Sequence, residues 1–125
     1  MGFVLDAILR QYFIGSKDDQ GNISYENINV DGNTDSVDIS GSEGGYLTAI
    51  EYANGSTVNI RFFLEGSIDD TIWGEIPSTA NTITDNSGSI QLDVTASNIN
   101  FIRVAWEVTS GSLDIFAQVS AKRRH

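Results

Sequence analysis

The sequence predicts an all-β domain, an antiparallel β-sandwich of jelly-roll-like type with an N-terminal arm or short helix. Three observations lead there. From Ile23 onward apolar and polar residues alternate at period two, the signature of half-buried strands. About eight such runs recur at roughly 8–12-residue spacing, separated by turn residues. Finally, the composition suits many short strands joined by turns: 12 glycines, abundant Ser, Thr and Asn, and one proline.

Residues 3–14 are the most apolar stretch. Val4, Leu5, Ile8, Leu9 and Tyr12 recur at helical spacing, Asp6 and Arg10 form an i,i+4 pair, and Phe13 and Ile14 extend the apolar run. A short helix and an extended arm both fit this pattern. Gly15–Asn22 follows as a polar, turn-rich linker. The division read from the sequence is therefore residues 1–22 as apolar arm and linker, 23–121 as sandwich, and 122–125 as a basic tail. An apolar arm on a polar linker is a pattern for docking on a neighbour. It marks Phe3, Val4, Leu5, Ile8, Leu9, Tyr12 and Phe13 as candidate partner contacts, with packing on its own sandwich as the alternative. On the docking reading, deletion of residues 2–14 leaves the sandwich folded.

Within the sandwich, short candidate strands are Ile28–Val30, Ser36–Ile39 and Thr71–Ile76. In Tyr46–Ala53, Ile50 and Tyr52 share one face, with Leu47, Ala49 and Ala53 opposite. Thr57–Gly66 alternates most clearly, with Val58, Ile60, Phe62 and Leu64 facing Asn59, Arg61, Phe63 and Glu65 across the strand. Asn54-Gly55 between these runs is a hairpin signal, because both central residues of a type I′ turn need positive φ. Ser89–Thr95 alternates through Ile90, Leu92 and Val94. In Asn100–Val108, Ile102, Val104, Trp106 and Val108 lie on one face. Ser110-Gly111-Ser112 turns the chain into Leu113–Ala121, whose Leu113, Ile115, Ala117 and Val119 point inward. Ile60, Phe62, Ile102, Val104, Ile115 and Val119 form the predicted core.

Several function classes are disfavoured. With no cysteine, disulfides, thiolate chemistry and Cys-based zinc sites are excluded. A net charge of −10 repels nucleic acid and anionic lipid. The one basic cluster is Lys122, Arg123, Arg124 and His125, a solvated tail or a contact for an acidic surface. No run approaches the ~20 apolar residues of a membrane span, and the N-terminus lacks the basic region of a signal peptide, so synthesis in the cytoplasm is expected. The single histidine is His125, at the last position, which leaves Ser–His–Asp chemistry without a credible base. No catalytic residues are assigned, and no enzyme activity or cofactor is expected. Asp31-Gly32-Asn33-Thr34-Asp35 has the D-x-N-x-D spacing of a calcium loop. However, Ser36 stands where that loop needs glycine and Ser42 where it needs a bidentate acid, so an Asx turn is favoured and no metal is expected.

Phe63-Leu64-Glu65-Gly66-Ser67-Ile68-Asp69-Asp70-Thr71-Ile72-Trp73 resembles a pattern of phage structural β-sandwiches: an apolar strand, Glu-Gly-Ser-x-Asp, a turn, then Trp. Phe101-Ile102-Arg103-Val104 and Gly111-Ser112-Leu113-Asp114-Ile115 are similar to later strands of the same domains. The resemblance covers about Tyr46–Ala121. It implies a structural virion protein of a tailed phage, decorating or cementing the head, with neck or tail placement also compatible, and it carries over no catalytic residues. In physical terms, Asp69 and Asp70 cap the turn through side-chain oxygens, Trp73 closes over the core edge, and Arg103 is free to pair with a carboxylate or a partner chain. Capsid or other virion proteins are the expected partners. Homo-oligomerisation would cover the sandwich's edge strands. The alternative is a carbohydrate-binding β-sandwich module, for which Trp73 is the surface candidate for stacking on a sugar. Trp106, Tyr46 and Tyr52 complete the aromatic set from which a platform would be drawn.

Overall fold

The computed structural model describes residues 7–40, 42–94 and 99–123. In chain order the strands are β1 (Ala7–Ile14), β2 (Ser16–Lys17), β3 (Ile23–Ser24), β4 (Glu26–Ile28), β5 (Gly32–Asn33), β6 (Val37–Asp38), β7 (Ser42–Ser67), β8 (Gly74–Glu75), β9 (Asn81–Ile83), β10 (Gly88–Val94) and β11 (Phe101–Arg123). Every pairing is antiparallel, and the described residues contain no helix.

The frame is the long ladder between β7 and β11, which runs from Phe101 opposite Ser67 to Arg123 opposite Ser42. Its register slips repeatedly between Val108 and Asp114. The same place holds three residues in the left-handed region: Asn54 (φ 56°), Thr57 (φ 53°) and Gly111 (φ 81°). Bulges bend strands and let one strand pass between sheets. Here they divide the ladder into two layers. Residues 42–53 and 114–123 form the first, flanked by β1 on β11 and by β10 on β7. Residues 58–67 and 101–108 form the second, flanked by β5 and β6 on β11 and by β8 and β9 on β7. Ile50 and Ile115 of the first layer lie in the same apolar cluster as Phe62 and Val104 of the second, so the layers enclose one core.

Alternation along the strands is borne out. Tyr46, Ile50 and Tyr52, then Val58, Ile60, Phe62 and Leu64, and on β11 Ile102, Val104, Trp106, Leu113, Ile115, Ala117 and Val119 are all buried. The two expected turns are not turns. Asn54-Gly55 and Ser110-Gly111-Ser112 face each other across the corner, with Ser112 opposite Ser56, and neither reverses the chain. A left-handed Asn serves a bulge as well as a hairpin, so the local signal does not separate them. Asp114 ties the corner, accepting hydrogen bonds from Asn54 Nδ2 and from Asn27 Nδ2, both at 2.9 Å.

The N-terminal stretch is neither a helix nor a free arm over its described part. Ala7–Ile14 pairs with β11 from Ala7 opposite Arg123 to Ile14 opposite Ala117. The open edge of β11 satisfies this backbone better than an isolated short helix would. Phe13 is 7% exposed and belongs to the core. Removing residues 2–14 therefore takes away a sheet strand and a core side chain rather than an appendage. Gly15–Asn22 is also more than a linker. β2 and β3 form a hairpin whose turn is held by Asp18, which accepts from the backbone of Gln20 (2.9 Å) and Asn22 (2.8 Å).

Two inward-facing hydroxyls, Tyr46 Oη and Thr48 Oγ1, are buried without a hydrogen-bond partner. Burial pushes the Tyr46 phenol up to about 12. An unsatisfied buried hydroxyl costs about 1–3 kcal/mol of desolvation, so Tyr46→Phe is expected to stabilise the fold by about 1 kcal/mol. Urea denaturation checks it; a lower midpoint for the variant would show that the hydroxyl is satisfied.

Candidate functional site

The segment after β7 builds the most distinctive surface. The Ser67 hydroxyl donates to Asp69 Oδ1 (3.1 Å) and accepts from the Asp70 N–H (2.9 Å). Asp69 Oδ1 in turn accepts from the N–H groups of Thr71 (2.9 Å) and Ile72 (3.0 Å), and Asp70 takes φ 64°. Asn100 secures the loop from β11's side, its N–H donating to Ser67 O (2.9 Å) and its side chain to Ile68 O (3.1 Å). The result is a turn whose Ser67 and Asp69 side chains are used internally. It presents Ile68 at 68% exposure and Ile72 at 77%.

Beneath these side chains lies an open groove of about 460 Å³, walled by Ile68, Ile72, Trp73 and Ile99 and floored by Gly66 and Gly74. These two glycines pair across β7 and β8. A Cβ at Gly66 would stand 3.0 Å from Ile99 Cδ1, so the absence of a side chain there keeps the floor open.

Trp73 does not close over the core. It is half-buried on the outer face, where the Arg103 guanidinium lies 4.3 Å from its ring centroid. Arg103 Nε donates to Glu65 Oε1 at 2.8 Å, which answers the sequence question about its partner. A second rung repeats the arrangement. Arg61 stacks on Phe63 at 4.6 Å and bonds Glu75 (2.6 Å) and Glu107 (3.0 Å). Planar guanidinium groups suit such paired stacking and carboxylate contacts. The other expected aromatics do not join Trp73. Tyr46 and Tyr52 are buried, and buried Trp106 donates its indole N–H to Val30 O at 2.9 Å.

The calcium-like segment is strand and cap. Asp31 Oδ1 accepts from the Val108 N–H at 2.6 Å, Gly32–Asn33 pairs with Trp106–Ala105, and Thr34 Oγ1 accepts from the Val104 N–H. Among the described residues, no three or more Asp, Glu or His side chains converge as a metal site.

Of the arm residues, Phe3, Val4 and Leu5 lie outside the described residues, as do Arg124 and His125 of the basic tail. Ile8 and Leu9 fall on β1. Tyr12 is 48% exposed, packs against Phe116 at 5.5 Å between ring centroids, and donates to Lys17 O; Phe13 is in the core. Of the candidate contacts whose side chains are described, Phe13 is therefore taken up by the core and Tyr12 lies on the surface. Sequence reasoning missed Ile68, Ile72 and Ile99. The available signal was two isoleucines inside an otherwise polar Asp-Asp turn.

Asp69 is held below its ordinary value of 3.8, first by the Ile72 and Thr71 N–H groups. A depressed carboxylate supports its loop above the unfolded value and loses that support as pH falls through the folded one. Carboxyl NMR is expected to place the Asp69 midpoint below 3.8, with the Thr71 and Ile72 amide signals moving at the same pH. A midpoint at or above the ordinary value would mean that the turn is not capped in solution.

No protein-family model matches the chain, and no curated protein matches its sequence. Among solved structures, it is similar to the SPBc2 prophage-derived protein YomS: TM-score 0.52, 5% identity, covering 96% of this chain and 98% of that one. It is similar also to the K1 cleaved adhesin domain of Lys-gingipain from Porphyromonas gingivalis W83: TM-score 0.52, 13% identity, covering 95% and 99%. A Family 16 Carbohydrate Binding Module-2 aligns at TM-score 0.49 and 10% identity over 78% of this chain and 74% of that one. At such identities likeness speaks for fold alone, and the fold is an antiparallel β-sandwich.

Proposed function

We propose that this chain is a structural virion protein of a tailed phage that decorates or cements the capsid, or sits at the neck or tail, through protein–protein contacts. It works as a homo-oligomer and resides in the virion after synthesis in the host cytoplasm. The observation that carries the proposal is the capped loop that holds Ile68 and Ile72 outward over an apolar groove. Exposed apolar side chains on a loop held by internal hydrogen bonds favour a protein partner, because their burial is favourable and a turn already capped has less order to lose on binding. The loop lies in the segment Phe63–Trp73, which carries the phage resemblance. The fold shared with a prophage-derived protein over nearly the whole of both chains agrees with it.

Sugar stacking fits this groove less well. One face of Trp73 is occupied by Arg103, and the Ser67 and Asp69 oxygens are engaged in the turn, which leaves few polar groups for sugar hydroxyls. No catalytic step and no cofactor enter the reading.

The test is immunogold labelling of purified phage particles, followed by co-sedimentation of recombinant protein with particles lacking it. Labelled particles are expected, and Ile72→Asp should weaken co-sedimentation at least about tenfold. A buried charge at an apolar contact costs more than the ~1.4 kcal/mol to which that factor corresponds, whereas the exposed position leaves folding nearly unchanged. Unlabelled particles would overturn the proposal. Polysaccharide binding abolished by Trp73→Ala would replace it with the sugar-binding alternative.

A further inference from the structure

The outer face of the first layer carries a second, chemically different hollow. Tyr12 stands opposite Gln118, Gln118 opposite Ala49, and Ala49 opposite Gln91, so these four residues form one row across β1, β11, β7 and β10. In the adjacent row, Ser120 stands opposite Leu47. Ala49 is the small residue at the centre. Around it opens a shallow hollow of about 270 Å³, lined by Leu47, Ala49, Gln91, Gln118 and Ser120.

The two glutamines that line the hollow are uncommitted. Among the described residues, neither the Gln91 nor the Gln118 carboxamide has an interaction partner. Glu51, two residues along β7 from Ala49 and on the same face, has Oε2 buried with no hydrogen-bond partner. This differs from the outer face of the second layer, where Arg61 and Arg103 are both paired with carboxylates.

The geometry points to a binding site for a neutral polysaccharide chain along β7, with Ala49 and Leu47 as its floor and Gln91 and Gln118 as its walls. Gln91 and Gln118 stand on strands either side of β7, about 9.6 Å apart at two strand spacings. Carboxamides carried on strands so spaced can reach hydroxyls on opposite edges of one sugar ring, each through a hydrogen bond of ~2.9 Å. Each carboxamide supplies two donors and an acceptor, the vocabulary that vicinal hydroxyls require. The methyl groups of Ala49 and Leu47 meet the apolar face of the ring, and the exposed Tyr12 ring extends the row by one strand. Among the described residues no cation lines the hollow, Asp93 stands opposite Leu47, and the chain carries −10, so acidic glycans are disfavoured. The site is separate from the Ile68–Trp73 groove, and its existence does not depend on placement in a virion.

Affinity gel electrophoresis of the full chain tests it, in gels containing dextran, mannan, xylan or laminarin. Retarded migration is expected in at least one gel. The double variant Gln91→Ala/Gln118→Ala should weaken that retardation at least about tenfold, since several hydrogen bonds are lost together. Ala49→Phe, which fills the hollow, should abolish it, while Trp73→Ala leaves it intact. Circular dichroism checks that each variant is folded; if Ala49→Phe fails to fold, the double variant decides. Unretarded migration in all four gels overturns the inference, as does retardation that survives the double variant or disappears with Trp73→Ala. Immunogold labelling of particles is read independently, so failure here leaves the virion proposal standing and the reverse.

Discussion

Phe62→Ala is expected to lose about 3–5 kcal/mol of stability, the usual cost of removing a fully enclosed aromatic ring and leaving a cavity. Phe62 is 0% exposed, stands opposite Trp106 in the β7–β11 ladder, and packs on it with ring centroids 6.3 Å apart at 51°. Its neighbours are fixed on both sides. Ile60 and Leu64 flank it along β7, all three at 0% exposure, and the first layer closes the core from above. Little can collapse into the space, which places the expected loss in the upper part of the range. Domains of this size hold only about 5–15 kcal/mol in all, so the variant should be partly unfolded at physiological temperature. Urea denaturation measures the difference. A loss below about 1 kcal/mol would show that the two layers do not close over this ring.

Gly111→Ala is expected to be comparably severe for a different reason. Gly111 has φ +81°, and a Cβ there would lie 2.2 Å from Ser56 O and 2.4 Å from Thr57 O, both backbone atoms of the facing corner. Strain at positive φ alone costs a β-carbon-bearing residue about 1–2 kcal/mol. The collision adds to it, because backbone on the opposite strand cannot rotate aside as a side chain would. Gly21 separates the two effects. It has φ +86°, but a Cβ there meets nothing within 4 Å. Gly21→Ala should therefore show the conformational cost only, and Gly111→Ala should exceed it by at least about 2 kcal/mol, the scale of overpacking in a tight site. Equal losses in the two variants would mean that the corner is looser than the structure shows.

Much of this molecule is legible without its fold. Period-two alternation names the inward faces of residues 58–64, 102–106 and 113–119, because a strand's side chains take opposite faces by geometry alone and one face must leave water. Asp69 can be read as a turn cap, since the side chain acts on backbone two and three residues away. The absence of a calcium-loop glycine at Ser36 is likewise local information.

What only the tertiary structure decided depends on contacts distant in sequence. Asn54-Gly55 and Gly111 are turn signals, yet they bend two continuous strands. Which outcome occurs is set by pairing between residues distant in sequence, running from Ser56–Ser112 outward to Ser67–Phe101 in one direction and Ser42–Arg123 in the other. The apolar stretch before Gly15 suits helix, arm or strand equally, and the unfilled edge of β11 makes Ala7–Ile14 a strand. Trp73 and Arg103 are thirty residues apart and meet only because β8 and β11 lie on either side of β7. The row Tyr12–Gln118–Ala49–Gln91 draws on four strands, and its members acquire a common chemistry only when register sets them side by side. Alternation specifies which face a residue takes; register across the sheet specifies its neighbours, and a binding surface is made of neighbours.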